Sequence, residues 1–238
     1  MPTALVTGGG IRIGKAICLA LGRSGYDVIV HVNKSIKSAE KVVQELRSLG
    51  RQAHLIIADL ETSSGIMDLV SRVPSLDLLV NNAAVYEHIP FQNVSIDQFD
   101  RMFSLNLKAP FFLIQHLYPK LINSDEGSIV NVTDMGLART YTKTHFISHY
   151  LASKAGLAQL TKSLAIELAP KVRINAVAPG LVGVDNETSD EQRTIIMDKI
   201  PLARMGNFND VADAVVYLAN ANYLTGQTIT VCGGLSIT

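Results

Sequence analysis

Tyr150 and Lys154 are the pair in this chain whose types and spacing most directly spell acid/base chemistry. They lie in Tyr150-Leu151-Ala152-Ser153-Lys154, between the apolar run Ile129-Val130-Asn131-Val132 and a helical pattern that ends at Pro170. Helical positions four apart share a face, so the phenol and the ammonium point the same way. A cation beside a phenol favours the phenolate and lowers the phenol's pKa. A phenol placed so can give or take a proton near neutral pH. A Tyr and a Lys four apart are also an ordinary pair on a helix surface, so the chemistry depends on what else the chain supplies.

The first such supply is Thr7-Gly8-Gly9-Gly10-Ile11-Arg12-Ile13-Gly14, which joins an apolar strand to a helical pattern. In an open α/β sheet this junction binds phosphate at the helix N-terminus. Gly8 and Gly14 let the backbone come close to an anion. Arg12 stands where a third glycine is expected, and its guanidinium can fork onto a phosphate. Three glycines also make a plain tight turn, but the strand-turn-helix setting favours a nucleotide. The second strand ends His31-Val32-Asn33-Lys34-Ser35. An NAD-preferring site carries an acid there for the ribose 2′-hydroxyl. None is present, and Asp27 lies at the other end of the strand. Asn33, Lys34 and Ser35 instead suit the 2′-phosphate of NADP. The alternative is that Lys34 is a solvated loop charge and Ser35 an N-cap. Asp59-Leu60 and Asn81-Asn82-Ala83-Ala84 close the third and fourth strands, on the ligand side of such a sheet. Asp59 can accept from an adenine amino group, and the Asn82-Ala83 backbone can pass near the adenosine ribose. Each is equally a turn former.

The elements that must position these residues are legible as alternating short β-branched runs and helical patterns. Strands are expected over 4–7, 27–32, 53–58, 76–80, 128–132, 173–177 and 228–231. Helices are expected over 11–24, 35–49, 63–72, 96–122, 149–169 and 209–219. Several strands are apolar on consecutive residues, as in parallel strands covered on both faces. The alternation predicts an α/β fold, a Rossmann-like doubly wound parallel sheet of about seven strands in one domain. The chain has 238 residues, 47% hydrophobic and 18% charged, which allows one large core. Its formal net charge of +0 argues against nucleic acid or an anionic membrane as partner. The two cysteines, Cys18 and Cys232, have neither metal nor disulfide spacing. With no signal peptide or transmembrane run visible, a cytoplasmic setting and a small-molecule substrate are expected. Residues 181–201, polar and without period, read as a substrate loop.

Taken in order, Thr7-Gly8-x-x-x-Arg12-x-Gly14, Asn81-Asn82-Ala83, Asn106, Tyr150-x-x-x-Lys154 and Pro179-Gly180 make the whole chain resemble the short-chain dehydrogenase/reductase family. The resemblance implies nicotinamide chemistry and a homotetramer. It adds Ile13, Leu60, Pro179, Gly180 and Val182 to the NADP-binding residues, and gives Asn106 a proton-relay water to support. Five details are similar to the pteridine reductase branch: Arg12 in the glycine turn, the His-x-Asn-Lys-Ser string, Asp134 where the family keeps a catalytic serine, Tyr86 where that branch places a ring against the pterin, and Lys199-Ile200-Pro201-Leu202 after the substrate loop. That makes Arg12, Tyr86, Asp134 and Tyr150 the substrate contacts. A carboxylate beside the tyrosine would repel a developing oxyanion, yet it suits a substrate that offers N–H donors and takes a proton on nitrogen. Dihydropterin reduction is therefore the expected activity. The alternative is a carbonyl reductase, such as a 3-oxoacyl-thioester reductase, with Thr133 as hydroxyl donor and Asp134 merely capping a turn. A nucleotide sensor on the same scaffold would need neither Tyr150 nor Lys154. The separation of 16 between Asp134 and Tyr150 is roughly three residues longer than the family shows, which loop-length variation allows. Tyr141, His145 and His149 around that insert are possible pocket residues.

Overall fold

A computed structural model describes residues 1–138, 146–183 and 197–238. Seven parallel strands form one sheet: β1 (Thr3–Val6), β2 (Asp27–Val32), β3 (Ala53–Ile57), β4 (Leu78–Asn81), β5 (Ser128–Val132), β6 (Arg173–Pro179) and β7 (Thr228–Val231). Their order is β3-β2-β1-β4-β5-β6-β7. The order reverses between β1 and β4, which pair in register from Ala4↔Leu78 to Val6↔Val80. At such a reversal the crossovers leave towards opposite faces and open a crevice at the strands' carboxyl ends. The helices are α1 (Arg12–Arg23), α2 (Ile36–Ser48), α3 (Ser63–Ser71), α4 (Ile96–Phe103), α5 (Ala109–Leu121), α6 (Ser148–Glu167) and α7 (Phe208–Asn220).

Two apolar layers sandwich the sheet. Alternate residues of β1 show why: Ala4 and Val6 face the layer of α1, α2 and α7, while Leu5 faces that of α3 and α5. All three are fully buried, which is why the strand carries no polar face.

The stretch 96–122 differs from the single helix its pattern suggests. It runs as α4, a π-turn over Ser104–Lys108, and α5. Pro110 has no N–H to give the carbonyl of Asn106, four residues back. The chain widens there, and the Ala109 N–H reaches five back to the Ser104 carbonyl. β4 starts at Leu78 rather than Leu76, and β6 runs on to Pro179. Of the expected substrate loop 181–201, residues 184–196 lie outside the described set, as do Tyr141 and His145. No helix among the described residues is long and apolar enough to cross a membrane. Cys18 and Cys232 are free thiols.

Candidate active site

A cleft of about 670 Å³ opens along the carboxyl ends of β1 to β6. Its volume suits one extended ligand and a smaller one. The glycine turn forms its floor. Gly8 has φ +66, and a Cβ at Gly14 would fall 2.0 Å from the Gly8 carbonyl oxygen, so neither position tolerates a side chain. Asn82 is spent holding this turn: its side-chain amide donates to the Thr7 carbonyl at 2.9 Å and the Gly8 carbonyl at 3.2 Å. What Asn82-Ala83 offers a ligand is therefore backbone. Helix α1 begins at Arg12 with no side-chain cap and no acid in its first turn. Its positive end borders the cleft at Ile11–Gly14 with neither a side-chain cap nor a first-turn acid, which fits a phosphate.

Arg12 itself stands at φ +50. A left-handed non-glycine residue costs about 1–2 kcal/mol, and such strain collects at functional sites. Its guanidinium lies 6.0 Å from the centre of the Phe208 ring at the start of α7. At the end of β2, Asn33 donates to Asp59 Oδ1 at 3.1 Å, joining the two loops that flank this end of the cleft. Ser35 stands at the N-cap of α2 but makes no capping bond with its side chain, so its hydroxyl is not committed there. Lys34 is exposed beside them. This end gathers Arg12, Lys34 and short polar side chains, a donor set that fits the phosphates of a dinucleotide. Asp27 sits at the far end of β2, accepting from the Gln52 N–H at 2.8 Å.

His31 was not foreseen as a site residue. It is buried, and Gly8 N–H donates to its Nδ1 at 3.3 Å. Nε2 must then carry the proton, and it donates to the Ala58 carbonyl at 3.1 Å. Burial pushes its pKa down to about 4, so it is neutral at physiological pH. A lone histidine inside an otherwise apolar strand was the available signal.

At the other end, β5 leads to Asp134 and α6 presents Tyr150 and Lys154. The Tyr150 hydroxyl donates to Asp134 Oδ2 at 3.1 Å. Asp134 Oδ1 accepts from the Gly136 N–H at 2.7 Å. Asp134 thus caps the short turn Met135–Leu137 and faces the tyrosine at once; the two readings of it are not exclusive. Lys154 is 2% exposed, donates to the Val132 carbonyl at 2.8 Å, and lies 5.8 Å from the centre of the Tyr150 ring. Burial lowers its pKa to about 8, against the opposing pull of Asp134. It remains mostly charged at neutral pH. Tyr86 stands edge-on to Tyr150, ring centres 4.8 Å apart at 88°. Burial, then Asp134, raise its pKa.

Every residue expected to bind NADP or substrate or to do the acid/base chemistry borders this cleft except Asn106. Asn106 is fully buried. Its side chain accepts from the Val85 N–H at 2.9 Å and donates to the Val85 carbonyl at 3.0 Å and to Ser153 Oγ at 3.1 Å. A relay water would use its main-chain carbonyl, which has no N–H four residues on because Pro110 stands there. Two other expectations are corrected. The Thr133 hydroxyl donates to the Val177 carbonyl at 3.1 Å and is buried, so it is tied to β6 rather than presented to a substrate. His149 is buried away from the cleft, because it is one residue round the helix from Tyr150. Arg101, on α4, and Glu61, after β3, do border the cleft, and a charged pair 40 residues apart gave no signal in the sequence.

A profile of the short chain dehydrogenases matches residues 2–194. The chain belongs to that family. Among this dehydrogenase's relatives is the 3-oxoacyl-acyl-carrier-protein reductase FabG of Staphylococcus aureus, 38% identical over 242 residues, covering 98% of this chain and 97% of the relative. The solved landomycin C-6 ketoreductase LanV with bound NADP and rabelomycin superposes with a TM-score of 0.90 at 29% identity, covering 100% of this chain and 97% of that one. The acetoin dehydrogenase of Enterobacter cloacae does so with 0.88 at 34% identity, covering 99% and 96%. These names match a carbonyl reductase better than a pteridine reductase.

Proposed function

We propose that this dehydrogenase uses NADPH to reduce the C=N bond of a dihydropterin-type ring to the tetrahydro form. The observation that carries the reading is the carboxylate of Asp134 at 3.1 Å from the Tyr150 hydroxyl. In a ketone reductase this position calls for a neutral donor, because the substrate oxygen becomes negative. A carboxylate there suits a ring that presents amino and ring N–H groups and receives its proton on nitrogen.

Lys34, Asn33 and Ser35 would hold the 2′-phosphate, and Arg12 with the Gly8–Gly14 turn, Ile13 included, the diphosphate. Asp59 and Leu60 would flank adenine, Asn82 and Ala83 the adenosine ribose, and Pro179, Gly180 and Val182 the nicotinamide. When bound, NADPH supplies the hydride. Tyr150 gives its hydroxyl proton to the substrate nitrogen. Asp134 accepts from the substrate's N–H groups and orients the phenol. Lys154 holds the nicotinamide ribose and stabilises the phenolate left on Tyr150. Arg12 and Tyr86 border the ring, Tyr86 as an aromatic wall. The assembly we assign is a homotetramer, on family resemblance, and small residues on α6 (Ala152, Ala155, Gly156) permit close helix packing.

The second reading is a ketoreductase acting on 3-oxoacyl thioesters or related ketones. The relatives favour it, and by name they support it better than the pterin. Against it stand Asp134 and the tethered hydroxyl of Thr133. Nicotinamide-deuterated NADPH tests the proposal: a dihydropterin should return as the tetrahydro form with one deuterium on carbon. Unlabelled, unreduced pterin together with a labelled alcohol from the thioester would refute it.

A further inference from the structure

We propose that Arg101 is a positioning residue for the substrate ring: by holding Glu87 it fixes the loop that carries Tyr86. The proposal rests on the preceding reading only in taking Tyr86 as a substrate contact, whichever substrate class that is.

Residues 82–90 leave β4 without regular secondary structure. A loop of this kind stays put only where its groups are tied. Among the described residues the following ties are seen. Asn106 clamps the backbone of Val85 at both its N–H and its carbonyl. The Ile89 N–H donates to the Phe146 carbonyl at 2.9 Å. Between them, Arg101 donates from Nη1 to Glu87 Oε1 at 2.6 Å. Tyr86 thus has a buried clamp on one side and an ion pair on the other. Its ring is the element that needs fixing, since it stands edge-on to both His88 and Tyr150 at 4.8 Å.

Arg101 is suited to the task by what holds it. It sits in the last turn of α4, whose first turn is closed by a capping box between Ser95 and Gln98. The neighbouring Met102 is fully buried and anchors that last turn in the core. The guanidinium also donates from Nε to Glu61 Oε1 at 3.0 Å, beyond the end of β3. Two acids therefore orient one planar fork, and the fork cannot swing away from Glu87 without losing the second bond. The side chains of Glu61 and Glu87 are 28% and 29% exposed and that of Arg101 43%, so the pair is screened but not free in solvent. The pair adds little to global stability. Its consequence is local, on the angle at which Tyr86 meets the ring.

The test uses Arg101→Met, Glu87→Gln and Arg101→Lys, with Arg72→Met as a control that removes the Arg72–Asp68 pair outside the cleft. Steady-state kinetics are run with NADPH and whichever of a dihydropterin or a ketone the enzyme turns over. Hydrogen exchange is followed in peptides covering 84–90. Arg101→Met and Glu87→Gln should raise the substrate KM about fivefold, with kcat within about twofold, as expected for a partly exposed ion pair. The NADPH Kd should stay unchanged, and exchange at Ile89 should speed up while that at Val85 does not. Arg101→Lys should recover most of the KM, and Arg72→Met should match the wild type. An unchanged KM in both disrupting variants, or a matching loss of NADPH affinity, overturns the proposal. A KM shift seen with a ketone where pterins are not turned over upholds it and sinks the pterin reading instead.

Discussion

Replacing Asp134 with serine should invert the enzyme's preference between nitrogen and oxygen acceptors. The carboxylate lies 3.1 Å from the Tyr150 hydroxyl, so a substrate oxygen bonded to that hydroxyl would sit roughly 4 Å from it. At an effective dielectric of about 20, two unit charges at about 4 Å interact by about 4 kcal/mol. A half-developed oxyanion feels about 2 kcal/mol of that repulsion, a factor of about 30 in rate. Serine removes the charge and supplies a neutral donor, so ketone reduction should rise by about that factor. For a dihydropterin the same change removes a charged acceptor of the ring's N–H groups. Such bonds contribute about 1.5–3 kcal/mol, so pterin turnover should fall by at least about tenfold. Serine is chosen over alanine because it is a good N-cap and can keep the bond to Gly136 N–H that Asp134 makes at 2.7 Å. The assay is kcat/KM from NADPH absorbance with one dihydropterin and one acetoacetyl thioester, for both proteins. If Asp134→Ser lowers both activities alike, or raises pterin reduction, the electrostatic reasoning about this carboxylate is wrong.

Other outcomes follow from the same geometry. In the proposed mechanism Lys154 acts in its charged form, which exists below its pKa of about 8. Activity should therefore fall as pH rises through that value, and Asp134→Asn should move the fall to lower pH, because Asp134 opposes the lowering. A basic limb that stays fixed in Asp134→Asn would contradict the coupling. Lys34→Ala should weaken NADPH binding by about twofold to fivefold, the range of an exposed charge pair, while leaving NADH nearly unaffected; equal losses in titrations of both would exclude Lys34 as the 2′-phosphate reader. Arg12→Gly should relieve a left-handed residue that costs about 1–2 kcal/mol, so the melting temperature should hold or rise while NADPH affinity drops. A clear fall in melting temperature would show that Arg12 is not strained.

The fold was legible because parallel strands buried on both faces announce themselves as continuous apolar runs, and Val28–Val30 and Leu78–Val80 do so plainly. The π-turn was not legible as such. Pro110 sits inside a strong helical pattern, and a pattern of apolar residues does not show which carbonyl loses its donor. The phosphate turn and the Tyr150/Lys154 pair were readable because glycine and i,i+4 spacing have fixed geometric meaning. Asp134 was placed beside Tyr150 across 16 residues by resemblance rather than by spacing, and the structure joins them by a hydrogen bond. His31, Arg101 and Phe208 escaped because their partners lie far off in sequence: Ala58, Glu61 and Arg12 meet them only once the sheet is assembled. Thr133 misled for the opposite reason. It lies next to the active position in sequence, but β5 pairs with β6 and its hydroxyl turns to Val177.

Whether the carboxylate-assisted tyrosine reduces a C=N bond, as proposed, or a ketone is decided by the enzyme's substrate preference. The most direct measurement is the ratio of kcat/KM for a dihydropterin to that for an acetoacetyl thioester, taken with NADPH on the wild-type enzyme. The account predicts a ratio well above one. A ratio well below one would place this dehydrogenase with the ketoreductases it resembles in sequence, and Asp134 would need another explanation.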